Sequence, residues 1–259
     1  MLEQAQGERL VYIQTNQNLG YGRGMNRGLA AVPSRYACIM NTDLILNREA
    51  LVALWNFFEA RPEAGVASPI IRWKSGRMQG FLTLSPNPWP EYVQFLGRIR
   101  NQYWKRRLKR AKAPMKVAGV QGAFFMIRRS MFSDTLFDEE FFFYYEDTEL
   151  AQRNWRNGIP CYALPGVSII HIGGQSTSAS GGVLFQKSRG IYLQKIYGPS
   201  HAQWIGRLDR LRIRWKAFKY GLLSRFSSKA KIRSKRDYYA RLANMDRSAG
   251  AGLPTKTDS

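Results

Sequence analysis

Tyr36-Ala-Cys-Ile-Met-Asn-Thr-Asp43 reads as a short apolar strand that runs out into three polar residues. Its neighbours decide the architecture. Upstream, residues 10–14 form another short apolar run, Asn16-Gln-Asn-Leu-Gly-Tyr-Gly-Arg-Gly24 is a glycine-rich turn, and Met25 and Leu29, four apart before Pro33, predict a helix to about residue 32. Downstream, Asn47 is a candidate N-cap for a helix that would bury Leu51, Leu54, Trp55 and Phe58 and stop at Arg61-Pro62. Gly65-Val-Ala-Ser-Pro-Ile-Ile71 is a third strand. Strands alternating with helices at this spacing imply an α/β domain with a mostly parallel sheet.

Ligands of such sheets bind beyond the carboxyl ends of the strands, where Asn41 and Asp43 fall. Asp43 is therefore a candidate metal ligand, with a turn or cap role as the alternative. The glycine-rich loop opens a helix, so its amides could meet a phosphate or ribose; a tight turn alone accounts for the same glycines.

Further along, residues 73–90 are loop-like, with two glycines and three prolines, and carry no assignable role. Residues 98–112 form a basic, helix-compatible excursion, and residues 117–127 read as a strand containing Gly119 and Gly122. A short helix over 128–132 leads to Phe141-Phe-Phe-Tyr-Tyr-Glu-Asp-Thr-Glu-Leu150, five aromatics running into three carboxylates. A carboxylate held against rings loses hydration, and its pKa rises toward the range useful for taking a proton. Asp147 is thus either a general base or the N-cap of a helix over 148–157, in which Glu149 and Arg153 are four apart and Gly158 is the stop. Two short strands follow, at 160–164 and 167–170, and the second delivers His171-Ile-Gly-Gly-Gln-Ser176.

Composition bounds the rest. At 44% hydrophobic residues over 259 positions the chain holds a substantial core and is not disordered. No apolar run reaches the ~18 residues of a spanning helix. Cys38 and Cys161 lie far apart and no signal-peptide pattern opens the chain, so free thiols in a reducing cytoplasm are expected. The net charge of +22 requires a polyanionic neighbour, and it is unevenly placed: residues 98–116 hold nine Lys or Arg and no acid, and residues 183–243 hold sixteen against Asp209 and Asp237. Within the latter stretch Trp204, Leu208, Leu211, Trp215, Phe218 and Leu222 follow a helical stripe, with Arg207, Arg210, Arg212, Arg214, Lys216 and Lys219 off it. Such a helix either packs on the α/β domain or lies in the interface of an anionic membrane. No nucleic-acid-binding module is recognisable, and carboxylates gathered at strand ends argue against that class.

Six motifs occur in order: Asn18-Leu-Gly-Tyr-Gly with Asn26; Asn41-Thr-Asp43; Gln121-Gly-Ala-Phe-Phe-Met-Ile-Arg128; Phe137-Asp-Glu-Glu-Phe; Tyr145-Glu-Asp-Thr-Glu-Leu with Arg153; and His171-Ile-Gly-Gly-Gln-Ser. Together they resemble the inverting glycosyltransferases of family 2, in particular the rhamnosyltransferase-like branch that builds bacterial surface polysaccharides. The resemblance implies a GT-A fold, a nucleotide-diphosphate-sugar donor, a glycan or lipid-linked acceptor and a divalent cation, Mg2+ or Mn2+. It places Asp147, with Glu146, at the catalytic position, Asp43 and His171 at the metal, and Asn18, Gly20, Asn26, Asn41, Gly122 and Arg153 around the donor. Asn41 stands where the family carries the first carboxylate of its metal motif. The family's opening strand–helix–strand unit, which carries the nucleobase loop, has no counterpart ahead of Leu10, so an N-terminally incomplete sheet is expected, with a catalytically silent, partner-binding homologue as the alternative function. The implied organisation is a GT-A domain over 1–182, a basic amphipathic helical extension over 183–245 and a disordered tail over 246–259. The implied location is peripheral, on the cytoplasmic face of the plasma membrane.

Overall fold

The strand read at Tyr36 forms over Tyr36–Met40 (β1), between helices α1 (Tyr21–Ala31) and α2 (Arg48–Ala60). The computed structural model describes residues 11–80, 89–92, 94–132, 135–173, 179–226 and 229–249. Two units are separable: Met1–Leu84 with Arg100–Ile172, and Ser85–Ile99 with Gly173–Ser259.

In the first unit, β1 is joined by β2 (Leu44–Ile45), β3 (Val66–Trp73), β4 (Met115–Val117), β5 (Phe124–Arg128) and β6 (Cys161–His171). The sheet order is β1-β5-β3-β6-β2, with β4 also on β6. β1, β3 and β6 run the same way, as the strand–helix alternation requires, and β3 and β6 pair in parallel. β5 enters antiparallel between β1 and β3, and β2 and β4 pair antiparallel with β6, so the sheet is mixed. One result is that the carboxyl ends of β1, β3 and β6 and the amino end of β5 share an edge.

Local chemistry explains the boundaries. α2 starts where Asn47 accepts from Ala50 N at 2.8 Å. It buries Ala50, Leu54, Phe57 and Phe58 against the sheet. Trp55, expected inside, is exposed, because it sits off the 50-54-57-58 stripe with its ring edge-on to Tyr36. α1 starts earlier than its apolar spacing suggests, since Gly20 (φ 78°) turns the chain after its amide is capped by Asn18 Oδ1 at 3.0 Å. Leu10 lies outside the described residues, and residues 11–14 join no strand.

Three expected strands differ. The run over 117–127 is cut into β4 and β5, because the two pieces pair with different strands and the chain must turn between them. The runs at 160–164 and 167–170 are one strand, β6, whose Pro165-Gly166 is absorbed as an irregularity opposite Pro69 and Ile70 of β3. Arg128 ends β5 as a buried cation that meets no carboxylate among the described residues: its guanidinium donates to the carbonyls of Ala64, Phe58 and Arg61 and to Tyr36 Oη, closing the C-terminal end of α2.

The second unit is helical: α3 (Trp89–Tyr92), the start of α4 (Gln94–Arg110), α6 (Ala179–Tyr197), α7 (Pro199–Phe226) and α8 (Ala230–Ala249). Tyr192, Leu193, Ile205 and Leu242 are buried in it. Arg189 bonds Asp209 and Glu91, each at 2.7 Å. The stripe read at Trp204 lies on α7, and its large side chains face outward: Trp204 and Trp215 are 59% exposed and Phe218 70%. Arg207 lies over the Trp204 ring and Lys219 over Trp215. Among the described residues no helix is long and apolar enough to cross a membrane. Residues 246–249, expected to be disordered, belong to α8; residues 250–259 lie outside the described set.

Candidate active site

The shared sheet edge collects the chemistry. β1 ends at Met40 opposite Phe124, and Asn41 N then bonds Ala123 O at 2.9 Å. Residues 41–43 carry the chain to β2, where Leu44 pairs with His171, the last residue of β6, and Ile172 N bonds Asp43 O at 2.9 Å. Asp43 and His171, 128 positions apart, are thereby placed side by side, with Asp43 Oδ1 3.1 Å from His171 Nε2.

The ring of His171 is held on both sides. Trp73, its partner in the β3–β6 pairing, stacks on it at 5.2 Å, and Gln79 Oε1 lies 3.0 Å from Nδ1. An amide oxygen only accepts, so Nδ1 carries the proton and Nε2 faces the carboxylate. The carboxylate also only accepts, so the direct Nε2–Oδ1 contact is a hydrogen bond from the ring; a cation between them would replace that proton and take the lone pairs of Nε2 and Oδ1. His171 is buried and the Asp43 side chain is 37% exposed, so one side stays open. Among the described residues no third His, Cys, Asp or Glu joins them. A carboxylate and an imidazole fit a hard divalent cation that takes most of its coordination from phosphate oxygens and water.

The second cluster sits at Gly122, next to the Ala123 that holds Asn41. Asp147 Oδ2 accepts from Gly122 N at 2.9 Å and Oδ1 accepts from Thr148 Oγ1 at 3.1 Å. Asp147 is not the helix cap: α5 spans Glu146–Arg156, its cap is Tyr145, and Asp147 occupies the first turn. Tyr144 and Tyr145 both have φ 68°, a left-handed pair that swings Glu146 and Asp147 into place. Burial pushes the Asp147 carboxyl up, against the hydrogen bonds that lower it. Burial, and then the charge of Asp147, raise Glu146 to about 8. Tyr21 donates its hydroxyl to Gly122 O, and burial keeps that phenol protonated. A buried carboxyl pair on a backbone amide can hold one negative charge and exchange one proton near neutrality.

Residues 1–136 match the model of the glycosyl transferase family 2. The chain belongs to that family. Among curated relatives, the N-acetylglucosaminyl-diphospho-decaprenol L-rhamnosyltransferase of Mycobacterium tuberculosis (strain CDC 1551 / Oshkosh) is 26% identical over 235 residues, covering 78% of this chain and 70% of that protein. Among solved structures, the mannosyltransferase PcManGT from Pyrobaculum calidifontis, in complex with GDP-Man and Mn2+, superposes with a TM-score of 0.54 at 13% identity, over 97% of this chain and 73% of that one. GalNAc-T7 with UDP, GalNAc and Mn2+ gives 0.50 at 11% identity, over 93% of this chain and 46% of that one. The fold is GT-A and the protein is a glycosyltransferase.

In this family 2 glycosyltransferase the residues read from sequence as donor contacts divide in two. Asn41 is half-buried beside Asp43, and Gly122 offers its amide to Asp147. Asn18 and Gly20 shape the turn into α1. Asn26 and Arg153, by contrast, are used inside the scaffold. Both ends of the Asn26 amide are taken by the Phe137 backbone at 2.9 Å, and Arg153 bonds Leu136 O at 2.7 Å and chelates Glu149. Together they hold residues 136–139 rather than pointing at a ligand. Gln175 and Ser176 lie outside the described residues. Sequence reasoning missed Gln79, Trp73 and Tyr21, which orient His171 and Gly122; two of them lie in a stretch whose glycines and prolines mask any periodicity.

Proposed function

We propose that this glycosyltransferase inverts the anomeric centre in moving a sugar, rhamnose being the first candidate, from a nucleotide-diphosphate donor to a lipid-linked or growing bacterial surface polysaccharide. The reading is carried by the clamp of Asp147 on Gly122, next to the residue that holds the Asn41–Asp43 strap against β5. Asp147 takes the proton of the acceptor hydroxyl as its oxygen attacks the anomeric carbon, and the bond to the nucleoside diphosphate breaks on the opposite face. Burial pushes both carboxyls of the Glu146–Asp147 pair up, Glu146 to about 8, so the two titrate together and the pair can take up a proton near neutrality. Asp43 and His171 would hold Mg2+ or Mn2+, which supplies positive charge to the departing diphosphate. The relative's rhamnosyltransferase name and its diphospho-lipid substrate support the donor and acceptor classes.

The outward apolar stripe of α7 with its arginine and lysine flanks supports docking on an anionic membrane, on the cytoplasmic leaflet where such acceptors are extended. Transfer from a panel of nucleotide sugars, with and without Mn2+, tests the reading. Asp147→Asn lowers transfer by about 10²–10⁴-fold while sparing Mn2+-dependent nucleotide binding, and Asp43→Ala weakens the binding itself. The reverse pattern exchanges the two roles, and no transfer with any donor rejects the reading.

A further inference from the structure

Two stretches that had no role in the sequence, the loop after β3 and the basic helix α4, meet in the first unit. The loop begins as a tight hairpin. Arg72 bridges Met78, Trp73 N bonds Arg77 O at 2.9 Å, and Gly76 (φ 76°) makes the turn. Leu108 of α4 packs with Ile70, Met78 and Ala163 and fixes the helix over the hairpin. Between them lies a cavity of ≈ 550 Å³, lined among others by Trp73, Arg72, Arg77, Lys105, Arg106 and Lys109. That volume is in the range of small-molecule sites.

The charge of this cavity is one-sided. Lys105, Arg106 and Lys109 continue a face that starts at Gln102, at spacings of three, four and seven, so like charges stand as helix neighbours. None of the five cationic side chains meets a carboxylate among the described residues, and no acid lines the cavity. A solvated basic helix face needs no hairpin opposite it carrying two more arginines. Mutual repulsion held in a concave site is relieved by an anion of high charge, and guanidinium forks match phosphate oxygens.

We propose that this cavity takes a diphosphate ester, namely the diphosphate of the lipid-linked acceptor; the inference rests on the transfer reading above. Neither Asp43 nor His171 lines the cavity, so the cation-bound diphosphate of the donor has its place elsewhere. Trp73 is the shared wall, lining the cavity and stacking on His171. An acceptor held here by its diphosphate stands one aromatic ring from the residues assigned to the donor.

Binding to the full chain by calorimetry at fixed salt tests it, with farnesyl diphosphate as acceptor probe, farnesol as its uncharged control, and UDP or dTDP with Mn2+ as donor probe. Arg77→Gln and Arg106→Gln, both exposed positions whose folding is checked by thermal melts, each weaken farnesyl diphosphate by about tenfold and leave nucleotide binding unchanged. Equal weakening of the nucleotide would make this the donor's own site and overturn the proposal. So would unchanged or undetectable farnesyl diphosphate binding, or farnesol binding as tightly. Failure of the transfer reading would show in a different arm, as loss of Mn2+-dependent nucleotide binding in the parent protein.

Discussion

Replacing Gly20 by Ala perturbs the joint between α1 and the aromatic segment that leads to Asp147. Gly20 has φ 78° and ψ 179°, a conformation that side chains reach only at a cost of about 1–3 kcal/mol. A Cβ there would lie 2.1 Å from the Phe142 carbonyl oxygen and 2.8 Å from its ring. That oxygen accepts from Tyr21 N at 2.9 Å, so relieving the clash also breaks this bond, worth about 1 kcal/mol. The total is about 2–4 kcal/mol, or on the order of 10 °C in Tm for a protein of this size. Gly24, inside the helix that Gly20 precedes, has nothing within 4 Å of its Cβ position, and Gly24→Ala stabilises by up to about 1 kcal/mol through helix propensity alone. Urea titrations of the two variants beside the parent decide the matter. Gly20→Ala within about 0.5 kcal/mol of the parent, or the two substitutions acting with the same sign, would refute the packing described at Phe142.

Other outcomes follow from the same structure. Because Glu146 is raised from 4.5 to about 8, the folded protein binds its proton more tightly than the unfolded chain; stability is greatest below the lower value and is lost as pH rises through about 8. The urea midpoint therefore falls over that window in the parent and falls less in Glu146→Gln, and parallel curves would contradict the burial of Glu146. Arg128→Met strips three carbonyls and Tyr36 of their donor and costs about 3 kcal/mol, and Arg128→Lys recovers little because an ammonium cannot span the fork; a mild loss with lysine would refute that geometry. In liposome flotation the protein rises with anionic vesicles, and Trp204→Ala with Trp215→Ala abolishes this; binding indifferent to lipid charge and to both tryptophans would rule out the α7 face.

How much of this could be read beforehand depended on whether the determinant was local. The Asn47 cap and the Gly158 stop are set within a turn or two of helix and stand where the spacing puts them, whereas of the stripe read on α2 Leu54 and Phe58 are buried and Trp55 is not. Strand partnership is not local. β5 lies antiparallel between β1 and β3 because of contacts made across the chain, and no periodicity reports direction. The same holds for the site. Asp43 and His171 were joined beforehand only through resemblance to a family, and Gln79, which fixes the histidine ring, had no signal at all. Nor do Tyr144 and Tyr145 announce a left-handed pair, since that conformation is ordinarily written in glycine or asparagine. Asp147 had the residue type of a helix cap and the surroundings of a base; the αL turn moved it two positions inward and settled its partner as Gly122.

Asn26 and Arg153 spend their polar groups on the backbone of residues 136 and 137. A descendant gene that had surrendered its chemistry would still need both to stay folded. Their survival in a distant relative would thus be a record of architecture, whereas the proposed chemistry would show in Glu146, Asp147, Asp43 and His171.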